Sequence, residues 1–71
     1  MGFRFKWERI SAADAERLIT ECGLDETEAN ILRLRRKGIY TPAEVAQRVN
    51  YSRKQMYEIS KKVLAKIQDK L

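Results

Sequence analysis

The sequence predicts an all-α fold, a small four-helix domain behind a short extended N-terminal arm. Three observations predict it. Four segments begin with an N-cap residue followed three positions later by an acid or amide: Ser11 with Asp14, Asp25 with Glu28, Thr41 with Glu44, and Ser52 with Gln55. In such a box the cap side chain accepts from an unpaired N–H of the first turn, and the second side chain reaches back to the cap N–H. Stops are also legible, because Gly23 and Gly38 stand where a left-handed residue ends a helix, and Pro42 stands at a first helical position. Between these signals the apolar residues recur at helical spacing.

The elements follow in order. Residues 1–10 are read as the arm, since Phe3-Arg4-Phe5-Lys6-Trp7-Glu8 alternates apolar and charged residues. An extended arm needs a partner, and the chain offers no second strand; its aromatics are expected on the helical core, across a dimer, against a partner, or in a helix after all. Residues 11–71 form the helical domain, with helices over 12–22, 26–37, 42–49 and 53–70. In the first, Ala12, Ala15, Leu18, Ile19 and Cys22 share a stripe ~120° wide and are expected in the core. In the second, Ala29, Ile31, Leu32 and Leu34 spread around the circumference. A short helix that is apolar on more than one side is expected at the centre, packed against both its predecessor and the C-terminal unit.

Composition narrows the function. The chain has 71 residues, 44% of them hydrophobic and 35% charged, which suits a folded domain rather than a disordered one. With a single cysteine and no histidine it lacks a disulfide, zinc sites of the common types, and Cys-His or Ser-His-acid nucleophiles. The chain is therefore read as a non-enzyme without metal or cofactor. No apolar run approaches the ~18 residues of a membrane span, and the first ten residues have no signal-peptide core, so a cytoplasmic, membrane-free location is expected. Net charge is +5, and it is uneven. Residues 1–40 hold eight basic against seven acidic side chains, whereas residues 41–71 hold seven against three. A basic C-terminal half suits a polyanionic partner, since neutralised phosphates release condensed counterions.

Residues 42–70 read as a helix-turn-helix. A short helix carries Val45, Ala46 and Val49, Asn50-Tyr51 makes the connection, and Ser52 opens a longer helix carrying Met56, Ile59 and Val63. Ala46 is small where the helices cross. Asn50 stands where positive φ is expected, a conformation asparagine tolerates better than any residue except glycine. At ~100° per residue, Arg53, Lys54, Tyr57, Glu58 and Lys61 occupy one side of the second helix, and Met56, Ile59, Val63 and Ile67 another. In this motif the outer face enters the major groove of double-stranded DNA. Arg53 and Lys54 suit guanine, Glu58 suits cytosine, and Tyr57 suits a thymine methyl or a phosphate. Lys61, Lys62 and Lys66 are expected on the sugar-phosphate backbone.

The stretch resembles region 4 of bacterial sigma factors. The residues that carry the resemblance are Leu24-Asp25-Glu26-Thr27-Glu28, Ile31-Leu32-Arg33-Leu34-Arg35, Gly38, Thr41-Pro42-Ala43-Glu44-Val45-Ala46, Ser52-Arg53, Met56, Ile59, and Lys62-Val63-Leu64-Ala65-Lys66-Ile67. The resemblance spans residues 24–67. It implies that Arg53, Lys54, Tyr57 and Glu58 read bases and that Ser52 lies near a phosphate. It also places Arg33, Arg35 and Arg36 where DNA backbone or RNA polymerase is approached. Asn50 replaces the usual glycine, and Lys54 stands where an acid is common in primary sigma factors, so the family's sequence preference does not carry over. The expectation is a sequence-specific transcriptional regulator, aided by a homodimer or by RNA polymerase. The rivals are a protein-interaction module that binds polymerase or another regulator, and an oligomeric DNA-packaging or recombination accessory.

Overall fold

A computed structural model describes residues 5–71. Four α-helices account for most of them: α1 (Ala12–Glu21), α2 (Glu26–Lys37), α3 (Pro42–Arg48) and α4 (Arg53–Ile67). A single 3-10 turn, Trp7–Arg9, precedes them, and another, Gln68–Lys70, follows. The domain is all-α, with no strand among the described residues.

The helices start where their caps lie. Ser11 Oγ accepts from the Asp14 N–H at 3.0 Å, with no return bond, because aspartate is too short to make one. The other three boxes close in both directions. Glu28 and Asp25 exchange bonds of 3.0 and 2.8 Å, Glu44 and Thr41 bonds of 2.8 and 3.2 Å, and Gln55 and Ser52 bonds of 3.3 and 3.2 Å. Gly23 and Gly38 have φ of 63° and 70°, so both are the left-handed stops expected of them.

Helix α2 packs against α1, α3, α4 and the Trp7–Arg9 turn. Its neighbouring residues Ile31 and Leu32, separated by ~100° around the axis, serve two different clusters. Leu32 joins Trp7, Ile10, Ala15, Leu18, Leu24, Val63 and Ile67, while Ile31 joins Val45, Ala46 and Met56. That division explains why the apolar residues of α2 surround it. In α1, Ala15 and Leu18 are buried and Ile19 and Cys22 are half-buried, but Ala12 is exposed. The stripe is thus one residue shorter than its periodicity suggests.

The N-terminal segment departs from the alternating pattern. Lys6 is extended, but the chain then turns, and Trp7 and Ile10 enter the core. Burying a tryptophan gains more than keeping a six-residue alternation that has no partner strand. Phe5 packs against the same cluster, and Arg36 Nε donates to the Ile10 carbonyl at 2.9 Å, holding the turn onto α2. Phe3, read above as part of the arm, lies outside the described residues.

One exposed ion pair fastens α1 to α2. Arg33 donates twice to Glu16, from Nε at 2.7 Å and from Nη2 at 2.8 Å. The hydrogen bond to Arg33 holds the Glu16 carboxyl below its ordinary range. A carboxylate depressed in the folded state stabilises it above the ordinary carboxylate value, and that stabilisation is lost as pH falls through the depressed value. Both side chains are half-exposed, so the effect is small. Glu16→Gln is therefore expected to melt slightly below the native protein at pH 7. The two melting temperatures should converge as the medium becomes more acid than the ordinary carboxylate range; a gap that stays constant from neutral to acid pH would assign the loss to something other than this pair.

Candidate nucleic-acid interface

The α3–α4 unit is built from the inside. Val45, Ala46 and Met56 are almost fully buried, with Val49 and Ile59 packed around them. The connection is tight: Val49 N–H donates to the Val45 carbonyl, Asn50 N–H to Gln47, and Tyr51 N–H to Ala46, at 3.0–3.2 Å. Asn50 has φ of 63°, and no other non-glycine residue among those described has positive φ. Asn50→Ala is expected to cost about 1 kcal/mol, because a Cβ-bearing residue without asparagine's local hydrogen bonding is disfavoured there. Asn50→Gly should be neutral or slightly stabilising. Denaturant unfolding of the two variants checks the order; equal losses would mean that the side chain, and not the backbone, matters.

From this turn α4 extends for 15 residues, a length of roughly 22 Å at the usual helical rise. Met56, Val63 and Ile67 are fully buried, as their spacing predicts, and Ile59 is half-buried. Ser60 is also buried, a position the apolar periodicity does not mark; its hydroxyl donates to the Met56 carbonyl at 2.8 Å. On the opposite side Arg53, Lys54, Glu58, Lys61 and Lys62 are exposed, and Tyr57 is 42% exposed. These residues therefore share one solvent-facing side of the helix. Ser52 is exposed at its start, with the hydroxyl engaged by Gln55 at 3.2 Å.

Three cations of the domain have carboxylate partners. Arg17 pairs with Asp14 and Glu21, Arg33 with Glu16, and Lys66 with Glu28. Among the described residues, Arg53, Lys54, Lys61 and Lys62 have no carboxylate within salt-bridge distance, nor do Lys6, Arg9, Lys37 and Lys70, but only the first four gather on one side of one helix. The outer face of α4 thus carries four cations and one carboxylate, Glu58, with no ion pair among them.

Four cations assigned outward by sequence have partners within the domain. Lys66 Nζ lies 2.8 Å from both carboxylate oxygens of buried Glu28, and this bond raises its pKa. Glu28 therefore caps α2 and ties it to the end of α4, a double role that sequence spacing does not reveal. Arg36 is bound to the Ile10 carbonyl. The Arg35 guanidinium lies between the rings of Trp7 and Tyr57, at 5.0 and 5.6 Å from their centroids. Desolvation there pulls its pKa below the usual arginine value. Arg33, although exposed, is held by Glu16. Arg48, not singled out by sequence, stacks on Tyr40 at 4.3 Å beside the α3–α4 unit.

Among the described residues no three or more His, Cys, Asp or Glu side chains converge as a metal site, and no helix is long and apolar enough to cross a membrane. In comparisons with family profiles, curated proteins and solved structures, nothing matched this chain.

Proposed function

We propose that this protein is a sequence-specific double-stranded DNA-binding transcriptional regulator that inserts the first half of α4 into the major groove. In this reading α3 and α4 are a helix-turn-helix, and the likeness to sigma-factor region 4 supports it. What supports it most is the exposed side of α4, where Arg53, Lys54, Lys61 and Lys62 cluster on one helix and none is paired with a carboxylate. A fold gains nothing from crowding like charges on one helix face, whereas a phosphate backbone compensates them. Arg53, Lys54, Tyr57 and Glu58 take the base-reading role, and Ser52, Lys61 and Lys62 the backbone role. The N-terminal dipole of α4, although its first turn is capped by Ser52 and Gln55, adds to the attraction for a phosphate.

Lys66 has a smaller part than Lys61, because binding a phosphate would compete with Glu28. This difference gives the test. In duplex titrations over a range of salt concentrations, Lys61→Ala should weaken all sequences alike and reduce the slope of log K against log salt by about one. Lys66→Ala should change that slope much less. Equal slopes for the native protein and the Lys61 variant would remove Lys61 from the interface.

A single module of this size buries little DNA, so a homodimer or RNA polymerase would supply the remaining affinity. The protein-interaction alternative loses its most obvious surface among the described residues, since Trp7 lies in the core and Phe5 packs beside it.

A further inference from the structure

The side chain of Arg35 enters a cleft of about 460 Å³ between the N-terminal segment and α4. Phe5 and Trp7 line one side, and Tyr57, Ser60, Lys61 and Leu64 the other. Trp7 is fixed by burial and by an edge-to-face contact with Phe5, with centroids 5.1 Å apart and planes at 90°. The guanidinium lies 5.0 Å from Trp7 and 5.6 Å from Tyr57. A core ring and a ring on the outer face of α4 therefore share one cation. Arginine keeps its charge in this setting, and each ring attracts it through the negative face of its π-system. A lysine has no flat face to match two rings at once.

A tyrosine on an exposed helix surface ordinarily exchanges between staggered rotamers. Ordering such a side chain on binding weakens the complex, and ordering it beforehand removes that loss. We propose that Arg35 is a positioning residue, clamped against Trp7 so that it holds the Tyr57 ring in one orientation on the reading side of α4. The consequence for recognition rests on the DNA-binding reading above, whereas the clamp is a property of the free protein. Arg35 then influences sequence preference without touching DNA, and the N-terminal segment, through Trp7, becomes part of the apparatus.

Two measurements separate the clamp from the DNA reading. In the free protein, three-bond couplings should report one χ1 rotamer for Tyr57, rotamer averaging in Arg35→Met, and partial averaging in Arg35→Lys. A single rotamer retained in Arg35→Met, or averaging already in the native protein, overturns the clamp. Should Arg35→Met not fold, Tyr57→Leu changes an exposed site and replaces it: the Arg35 Nε–H resonance should move when the ring is removed, and an unmoved resonance overturns the clamp. On duplexes, Arg35→Met should reduce preference roughly three- to tenfold, the scale of ordering one side chain, at the base pair that Tyr57→Ala also affects. The double variant should lose no more than Tyr57→Ala alone, and the salt slope should be unchanged. Additive losses, or a slope reduced by about one, would instead make Arg35 a direct phosphate ligand. If the native protein prefers no duplex sequence, the DNA reading falls, while the rotamer result still decides the clamp.

Discussion

Leu32→Ala is expected to destabilise the domain by about 2–5 kcal/mol, the range for emptying a fully buried leucine site. Leu32 has no exposed surface and faces the cluster that joins Trp7, Leu18, Val63 and Ile67. It therefore contacts material from the N-terminal turn, α1 and α4 together. A domain of this size has a total stability of only some 4–11 kcal/mol, so the loss is a large part of the whole. At about 4–8 °C per kcal/mol for such a chain, the melting temperature should fall by at least about 8 °C. Leu34, half-buried against the other cluster, should cost much less when replaced by alanine. Similar losses at both positions would contradict the assignment of α2 as a central helix with Leu32 on its most enclosed face. Thermal melts of the two variants decide it.

The second large effect concerns Arg53. It stands at the first position of α4, exposed and without an internal carboxylate among the described residues. Arg53→Ala should leave stability nearly unchanged, because nothing in the fold depends on its guanidinium. On DNA it should relax preference at one base pair by about 1–3 kcal/mol, the discrimination carried by a bidentate arginine–guanine contact. A uniform loss across all duplexes would place Arg53 on phosphate. Competition titrations against single-base-substituted duplexes separate these results, and circular dichroism checks that the helix content is intact.

Much of the fold was legible because its signals are local. Ser11, Asp25, Thr41 and Ser52 cap the helices their spacing marks, and Gly23, Gly38 and Asn50 take the left-handed backbone that their positions require. The two-sided character of α2 could also be read, since Ile31 and Leu32 point different ways on any helix. What sequence could not supply is the partner of a long charged side chain. Arg33, Arg35 and Lys66 look alike in sequence whether they face solvent or protein, and their partners lie far along the chain: 17 residues away for Arg33 and 38 for Lys66. Trp7 lies on the helical core, one of the places expected for it, and only the backbone of Trp7–Arg9, a 3-10 turn rather than an extended arm, departs from the alternating pattern. A period-two pattern over six residues carries little information, and the burial of one large ring outweighs it. Ser60 was missed because a hydroxyl can be buried when it is bonded to its own helix. On the candidate face, the grouping of Arg53, Lys54, Tyr57, Glu58 and Lys61 followed from spacing alone. The engagement of Tyr57 by Arg35 did not, because it depends on how α2 and α4 pack.

The most direct test of the DNA-binding reading is an unbiased selection from random duplexes, run on the protein alone and with RNA polymerase. Enrichment of a short double-stranded sequence is expected, with one position of that sequence relaxed when the selection is repeated with Arg53→Ala. No enriched duplex under either condition, or an enriched sequence that Arg53→Ala leaves unaltered at every position, would contradict recognition by the outer face of α4.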